Sequence, residues 1–378
     1  MSKPENKSIL KRGLFGLLDA SNALSSFVAI AIGLAIGFLV LLFSNPTNAV
    51  AGFITLLTSG VSDLKNTGQV LYFATPIIMT GLAVAFAGKT GLFNIGASGQ
   101  FIVGAYCAIL VGVRCSFLPG LLLCITAITA AIIAGALWGA LPGLLKAWRN
   151  VNEVISCIMM NYIGMYLVNY LIIQTVYDQR RNITKAVASH ANIPTWGLDH
   201  VFRLGNSPSS ANGGIIIAIV TAALIYIVLE KTVLGYELKA CGFNKNAAEY
   251  SGINSRRGII LAMAVSGALA GLGGALLYLS GAGKGIDVVD TLAQEGFNGI
   301  PVALLALNNP LGVIFSGLFI AYLTVGGFRM QLYSYAPQAV DMIVAIIIYF
   351  SAAALLIKGF IQKIDKHSIR RQKRGGEL

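Results

Sequence analysis

Apolar runs of about 20 residues, the length that spans a bilayer as a helix, recur along the chain and are separated by short polar or charged stretches. The first covers 25–44 and carries Gly33 and Gly37 in the small-xxx-small spacing that lets helices approach closely. A loop is expected at 46–68, then spans at 70–87, 100–113, 117–144 and 151–176. A polar stretch at 178–212 precedes a span at 213–229, a charged island at 231–257 and a span at 258–280, where Gly267, Gly271 and Ala275 again favour close packing. An apolar piece at 299–307 is too short to cross unaided and ends in the turn signal Asn308-Asn309-Pro310. Two final spans lie at 311–328 and 339–357. The pattern predicts an all-α membrane protein with about ten transmembrane helices and both termini on one side.

Composition agrees: 56% of the 378 residues are hydrophobic and 11% charged, with a mean hydropathy of +0.76. No polar region is large enough for a separate soluble domain, so one membrane domain is expected at 25–357. A basic arm at 1–24, without a cleavage signal, and a basic tail at 358–378 flank it. The net charge of +12 does not point to nucleic acid, because the basic residues are spread through short loops and the tail instead of forming an aromatic-interleaved patch. Their distribution orients the chain. With both termini cytoplasmic, 19 of the 27 Lys and Arg residues fall on the inner side, as the positive-inside rule requires.

Chemistry-bearing motifs are few. The five cysteines show no metal or redox spacing. Gly88-Lys89-Thr90 resembles the end of a phosphate loop, but Ala83 stands where that loop needs glycine, and the stretch follows an apolar span instead of a strand. The chain therefore carries no ATP site, cofactor or metal site of its own, and no nucleophile elbow or HExxH. Glu153, Glu295 and Asp341 fall near span ends, which argues against an ion-coupled secondary transporter, a class that places ionisable groups at mid-membrane depth.

Three polar features remain. Gly91-Leu92-Phe93-Asn94-Ile95-Gly96 and Gly296-Phe297-Asn298-Gly299-Ile300 interrupt oppositely directed spans, as an inverted repeat would, and broken helices in matching halves point to a transport pathway; close packing is the other explanation for their glycines. Within 151–176, Tyr162, Tyr166 and Asn169 share one helical face, with Asn161 nearby. They serve either interhelical hydrogen bonds or, with Asn94, Gln100 and Asn298, a pathway wall. In the charged island, Asn244 is placed to cap a short helix over 245–251 that Gly252 ends in the left-handed conformation.

That island, GYELKACGFNKNAAEYSGIN, resembles the cytoplasmic coupling loop of ABC importer permeases of the branched-chain amino acid, ribose and nucleoside group. GLFNIGASGQFIVGAY at 91–106, NEVISCIMMNYI at 152–163 and GFNGIPVALLALNNPLGV at 296–313 are most similar to the nucleoside-type, basic membrane protein-dependent branch. Ser98 and Asn298 depart from it, since members often carry Glu and Asp there. The resemblance implies a type II importer-like fold working by alternating access, with Gly242, Asn244, Ala247, Ala248, Glu249, Ser251 and Gly252 contacting the ATPase. It further implies a second homologous permease, cytoplasmic ATPases that hold ATP and Mg, and an extracytoplasmic solute-binding lipoprotein. Nucleosides are the expected solute; simple sugars and branched-chain amino acids are the alternatives.

Overall fold

The computed structural model describes Val28 and residues 30–352; the basic arm expected at 1–24 and the tail expected at 358–378 lie outside the described residues. The chain forms two compact units, Thr55–Arg329 and the two flanks Met1–Ile54 with Met330–Leu378. Seven helices among the described residues are long and apolar enough to cross a membrane.

In the flanking unit, α1 (Ile30–Ser44) is followed by α2 (Ala49–Thr58), and α15 (Pro337–Ala352) closes the described chain. Helix α2 corrects the loop expected at 46–68: Pro46 opens a single 3-10 turn, and the apolar run AVAGFITLLT has the composition to continue it as a helix. Gly37 of α1 faces Ile343 of α15, where a Cβ would lie 2.8 Å from the Ile343 side chain, so the expected small-residue contact exists. The Tyr335 hydroxyl donates to the carbonyl oxygens of Leu41 at 3.3 Å and Asn45 at 2.9 Å, which also accept from the Asn45 and Asn48 backbone N–H groups, so it ties the segment before α15 to the end of α1.

The larger unit is built around α3 (Leu64–Lys89), buried almost continuously from Thr75 to Ala87. Asp63 starts it, its carboxylate accepting from the Asn66 backbone N–H at 2.8 Å. A helix apolar on all sides must be surrounded, and α4 (Ala97–Arg114), α8 (Gly214–Lys231), α11 (Ser255–Tyr278) and α13 (Gly299–Leu305) pack on it. Helix α11 also lies along α5 (Gly120–Arg149). A Cβ on Gly135 would stand 2.3 Å from the Gly267 carbonyl oxygen, and one on Gly271 2.4 Å from that of Ala131, so the two backbones touch. This is the close packing predicted for Gly267 and Gly271.

Helix α6 (Glu153–Thr175) covers α4 and α5, and α14 (Pro310–Met330) runs antiparallel to α3: Gly317 meets Ile78, and Arg329 donates to the Asn66 Oδ1 at 3.1 Å. The polar 177–212 stretch departs from purely helical structure. It forms two short hairpins, Tyr177–Asp178 with Ile183–Thr184 and Arg203–Leu204 with Ser207–Pro208. The charged island, expected to hold one short helix, holds two: α9 (Val233–Phe243) and α10 (Lys245–Tyr250).

Candidate functional site

Two groups of predicted residues occupy different settings. The first lies where the chain climbs from the end of α3 into α4. Asn94, Gln100 and Asn161 are no more than 1% exposed, and each is satisfied within the chain. The Asn94 amide nitrogen donates to Gln100 Oε1 at 2.8 Å and to Ser266 Oγ at 2.7 Å, while its oxygen accepts from the Gly96 N–H at 2.9 Å. The Ser266 hydroxyl donates in turn to the Ala83 carbonyl oxygen of α3 at 2.5 Å. Asn161 clamps the same turn from α6, donating to the Ile95 carbonyl at 3.0 Å and accepting from the Gly99 N–H at 2.8 Å. Irregular backbone inside a membrane domain needs such partners, because no water meets its polar groups.

The second interrupted segment meets the start of α4, just past the first. It consists of α12 (Gln294–Phe297), Asn298 and the start of α13. Gly296 lies against the backbone of Ser98, with Cβ room of only 2.3 Å to its Cα, and the Ser98 hydroxyl donates to the Ala293 carbonyl at 2.8 Å. Thr80, about halfway along α3, donates to the Glu295 carbonyl at 3.1 Å. Asn298 is partly exposed at the joint between α12 and α13 and does not cap α13 with its side chain.

The polar residues of α6 are divided between faces. Asn161 turns inward, whereas Tyr162 and Tyr166 are 47% and 56% exposed and Tyr170 extends the same outward stripe. Asn169 donates to the Val289 carbonyl at 2.9 Å and stands in the wall of a cavity of about 410 Å³ with Ser98, Tyr278, Lys284 and Glu295. The acidic residues flagged from the sequence are paired or exposed: Glu153 meets Lys146 at 2.8 Å, Glu295 meets Lys284 at 2.9 Å, and Asp341 is exposed.

The second group is the α9–α10 unit. Asn244 caps α10, its Oδ1 accepting from the Ala247 N–H at 3.1 Å. Gly252 ends it with φ +82°, and the Ile253 N–H returns to the Ala248 carbonyl at 3.0 Å. The Ser251 hydroxyl donates to the Ala247 carbonyl at 3.0 Å, and Glu249 accepts from the Ser255 hydroxyl, tying α10 to the start of α11. Ala248 is buried beneath α10 while Ala247 is exposed. Between the two helices lies a groove of about 470 Å³ lined by Tyr236, Phe243, Ala247 and Ile253.

Sequence reasoning missed the aromatic content of this surface: Phe243 is 90% exposed and Tyr250 94%. The signal was present in the cap at Thr232, whose hydroxyl accepts from the Gly235 N–H at 3.2 Å, and in the seven-residue spacing of Tyr236, Phe243 and Tyr250. Cys241 lines a different pocket, with Thr90, Gly91 and Leu238; burial pushes its thiol up, and the Glu237 and Glu249 charges add to it.

Comparison with known proteins bears on both groups. Residues 66–352 match the family described as "Branched-chain amino acid transport system / permease component". The guanosine ABC transporter permease protein NupP of Bacillus subtilis is 38% identical over 347 residues, 92% of this chain and 97% of its own. The nucleoside ABC transporter permease protein NupB of Lactococcus lactis is 33% identical over 341 residues, 89% of this chain and 92% of its own. The glucose ABC transporter permease protein TsgB13 of Haloferax volcanii is 30% identical over 298 residues, 77% of each chain. No solved structure matches the chain. With seven membrane-length apolar helices among its described residues and a family match over most of its length, the chain belongs to the branched-chain amino acid transport system permease components, as a multi-pass transport subunit of the plasma membrane.

Proposed function

We infer that this chain is one permease half of an ATP-binding cassette importer for nucleosides. The observation that carries the solute class is the extent of the likeness to the guanosine permease, 38% identity across 97% of that protein. In this reading the second half is a homologous permease, ATP and Mg are held by cytoplasmic ATPases, and a lipoprotein delivers solute from outside. The α9–α10 unit docks on the ATPase, since exposed aromatics such as Phe243 and Tyr250 flanking a groove are the anchors that interfaces favour. Ten crossings, an inverted repeat and both termini inside complete the reading, supported by the basic-residue bias and by the packing of Gly296 on Ser98, two residues past the other interruption.

The pathway runs beside α6. Tyr162, Tyr166 and Tyr170 offer ring faces to a nucleobase, and the described acids are paired or peripheral, which suits a neutral solute. A sugar solute is the second reading, favoured by the 30% identity to a glucose permease. Reconstitution of the full importer with labelled guanosine, uridine, glucose, ribose and leucine decides between them. Nucleoside uptake is expected; uptake of a sugar or leucine without any nucleoside would refute the assignment.

A further inference from the structure

Gly91 and Gly242 meet backbone to backbone. A Cβ on Gly91 would lie 2.5 Å from the Gly242 Cα, and one on Gly242 would lie 2.6 Å from the Thr90 carbonyl carbon. Neither obstacle is the end of a side chain that swings away; both are main chain. Gly91 also holds φ +75°, a conformation that side chains resist. Gly242 sits in the last turn of α9, two residues before the Asn244 that caps α10. The α9–α10 unit therefore bears directly on the segment joining α3 to α4.

The far end of that segment is fastened to other helices. Three residues beyond Gly91, Asn94 bonds Ser266 of α11 and Gln100 of α4. Ile95 and Gly99 are both held by Asn161 of α6. The face of α6 turned away from Asn161 carries Tyr162 and Tyr166. Between these fixed ends the chain has no regular helix that could absorb a displacement by sliding.

We propose that residues 90–96 are a transmission arm: displacement of α9–α10 is received at the Gly242–Gly91 contact and delivered through Asn94 and Asn161 to α6. The scheme rests on the docking of α10 to an ATPase. Gly91, Gly242 and Asn161 are positioning residues in it. Packed backbone and hydrogen-bonded amides form the kind of contiguous network through which coupling passes, and coupling energies are its test.

Gly242→Ala is the informative substitution. Position 242 lacks the left-handed backbone of Gly91, and alanine is otherwise the better helix residue, so the added methyl acts through the contact. In the reconstituted importer this variant should split hydrolysis from transport: solute moved per ATP hydrolysed falls about 10-fold, within the range that coupling between sites spans. Asn161→Ala, at the other end, should show the same split. The double variant should lose no more than the worse single one, because both interrupt one arm. Parental uptake per ATP in assembled Gly242→Ala, or losses that simply add in the double variant, would overturn the proposal. Failure of both single variants to assemble would also overturn it, since the contacts would then serve folding alone. Ala247→Asp, on the exposed face of α10, separates the underlying reading: if it leaves ATP hydrolysis and uptake intact, docking is refuted, whereas parental behaviour of Gly242→Ala refutes the arm only.

Discussion

The turn around Asn94 and the α9–α10 unit are both polar interruptions of an apolar chain, yet they solve opposite problems. At Asn94 the amide groups are buried and face one another, and Ser266, Gln100, Gly96 and Asn161 account for the hydrogen bonds. At α9–α10 the amides do only local capping, and the large side chains Phe243 and Tyr250 stand almost fully exposed. A polar residue whose partners lie within the chain holds the fold; in the proposed function, an exposed aromatic in a capped, charged helix pair is instead a docking surface. The same residue types therefore carry different meanings according to where their partners are found.

The strongest way to break this comparison is Asn94→Leu. It strips partners from the Gly96 N–H, Gln100 and Ser266, and buried polar groups left unpaired cost about 1–3 kcal/mol each. A loss of several kcal/mol should appear as a large fall in melting temperature and in the yield of folded protein in detergent. An unchanged melt would mean that the turn is not held by its amides.

Phe243→Ala probes the other side. The isolated chain should melt as before, because the ring is 90% exposed, while association with the ATPase weakens by about 2 kcal/mol, the scale of an aromatic anchor at an interface. Titration of the ATPase against the purified permease reads this directly. A lowered melt with unchanged association would reverse the contrast.

The smallest effect is expected from Asn244→Ala, which removes the cap of α10 and should cost about 1 kcal/mol of local helix stability. Hydrogen exchange of the Ala247 N–H should rise while that of α3 stays unchanged. Equal changes in both would show that α10 is not a separate local unit.

Much of this was legible in the sequence for a local reason. Each long span is set by its own run of apolar residues, so α3, α5, α6, α8 and α11 fall where the hydropathy places them. The short α10, with Asn244 at one end and Gly252 at the other, follows from capping chemistry within a few residues. Helix α2 was missed because its ten residues after Pro46, with Gly52, Thr55 and Thr58 among them, are too few to read as a span. Helix α9 was missed because its flanks look like charged loop.

The sequence by itself determined that this is a helical membrane chain with a capped helix in a charged island and two glycine-containing interruptions, Gly91-Leu92-Phe93-Asn94 and Gly296-Phe297-Asn298. Helical period and cap geometry act over one or two turns, so they can be read from neighbours. Only the tertiary structure decided what the interruptions touch. It turned Asn161 inward and Tyr162 outward from adjacent positions on α6, brought Gly296 onto Ser98, and set Gly91 against Gly242. Those outcomes depend on which helices pack together, and close packing between residues far apart along the chain leaves no periodic trace in either stretch alone.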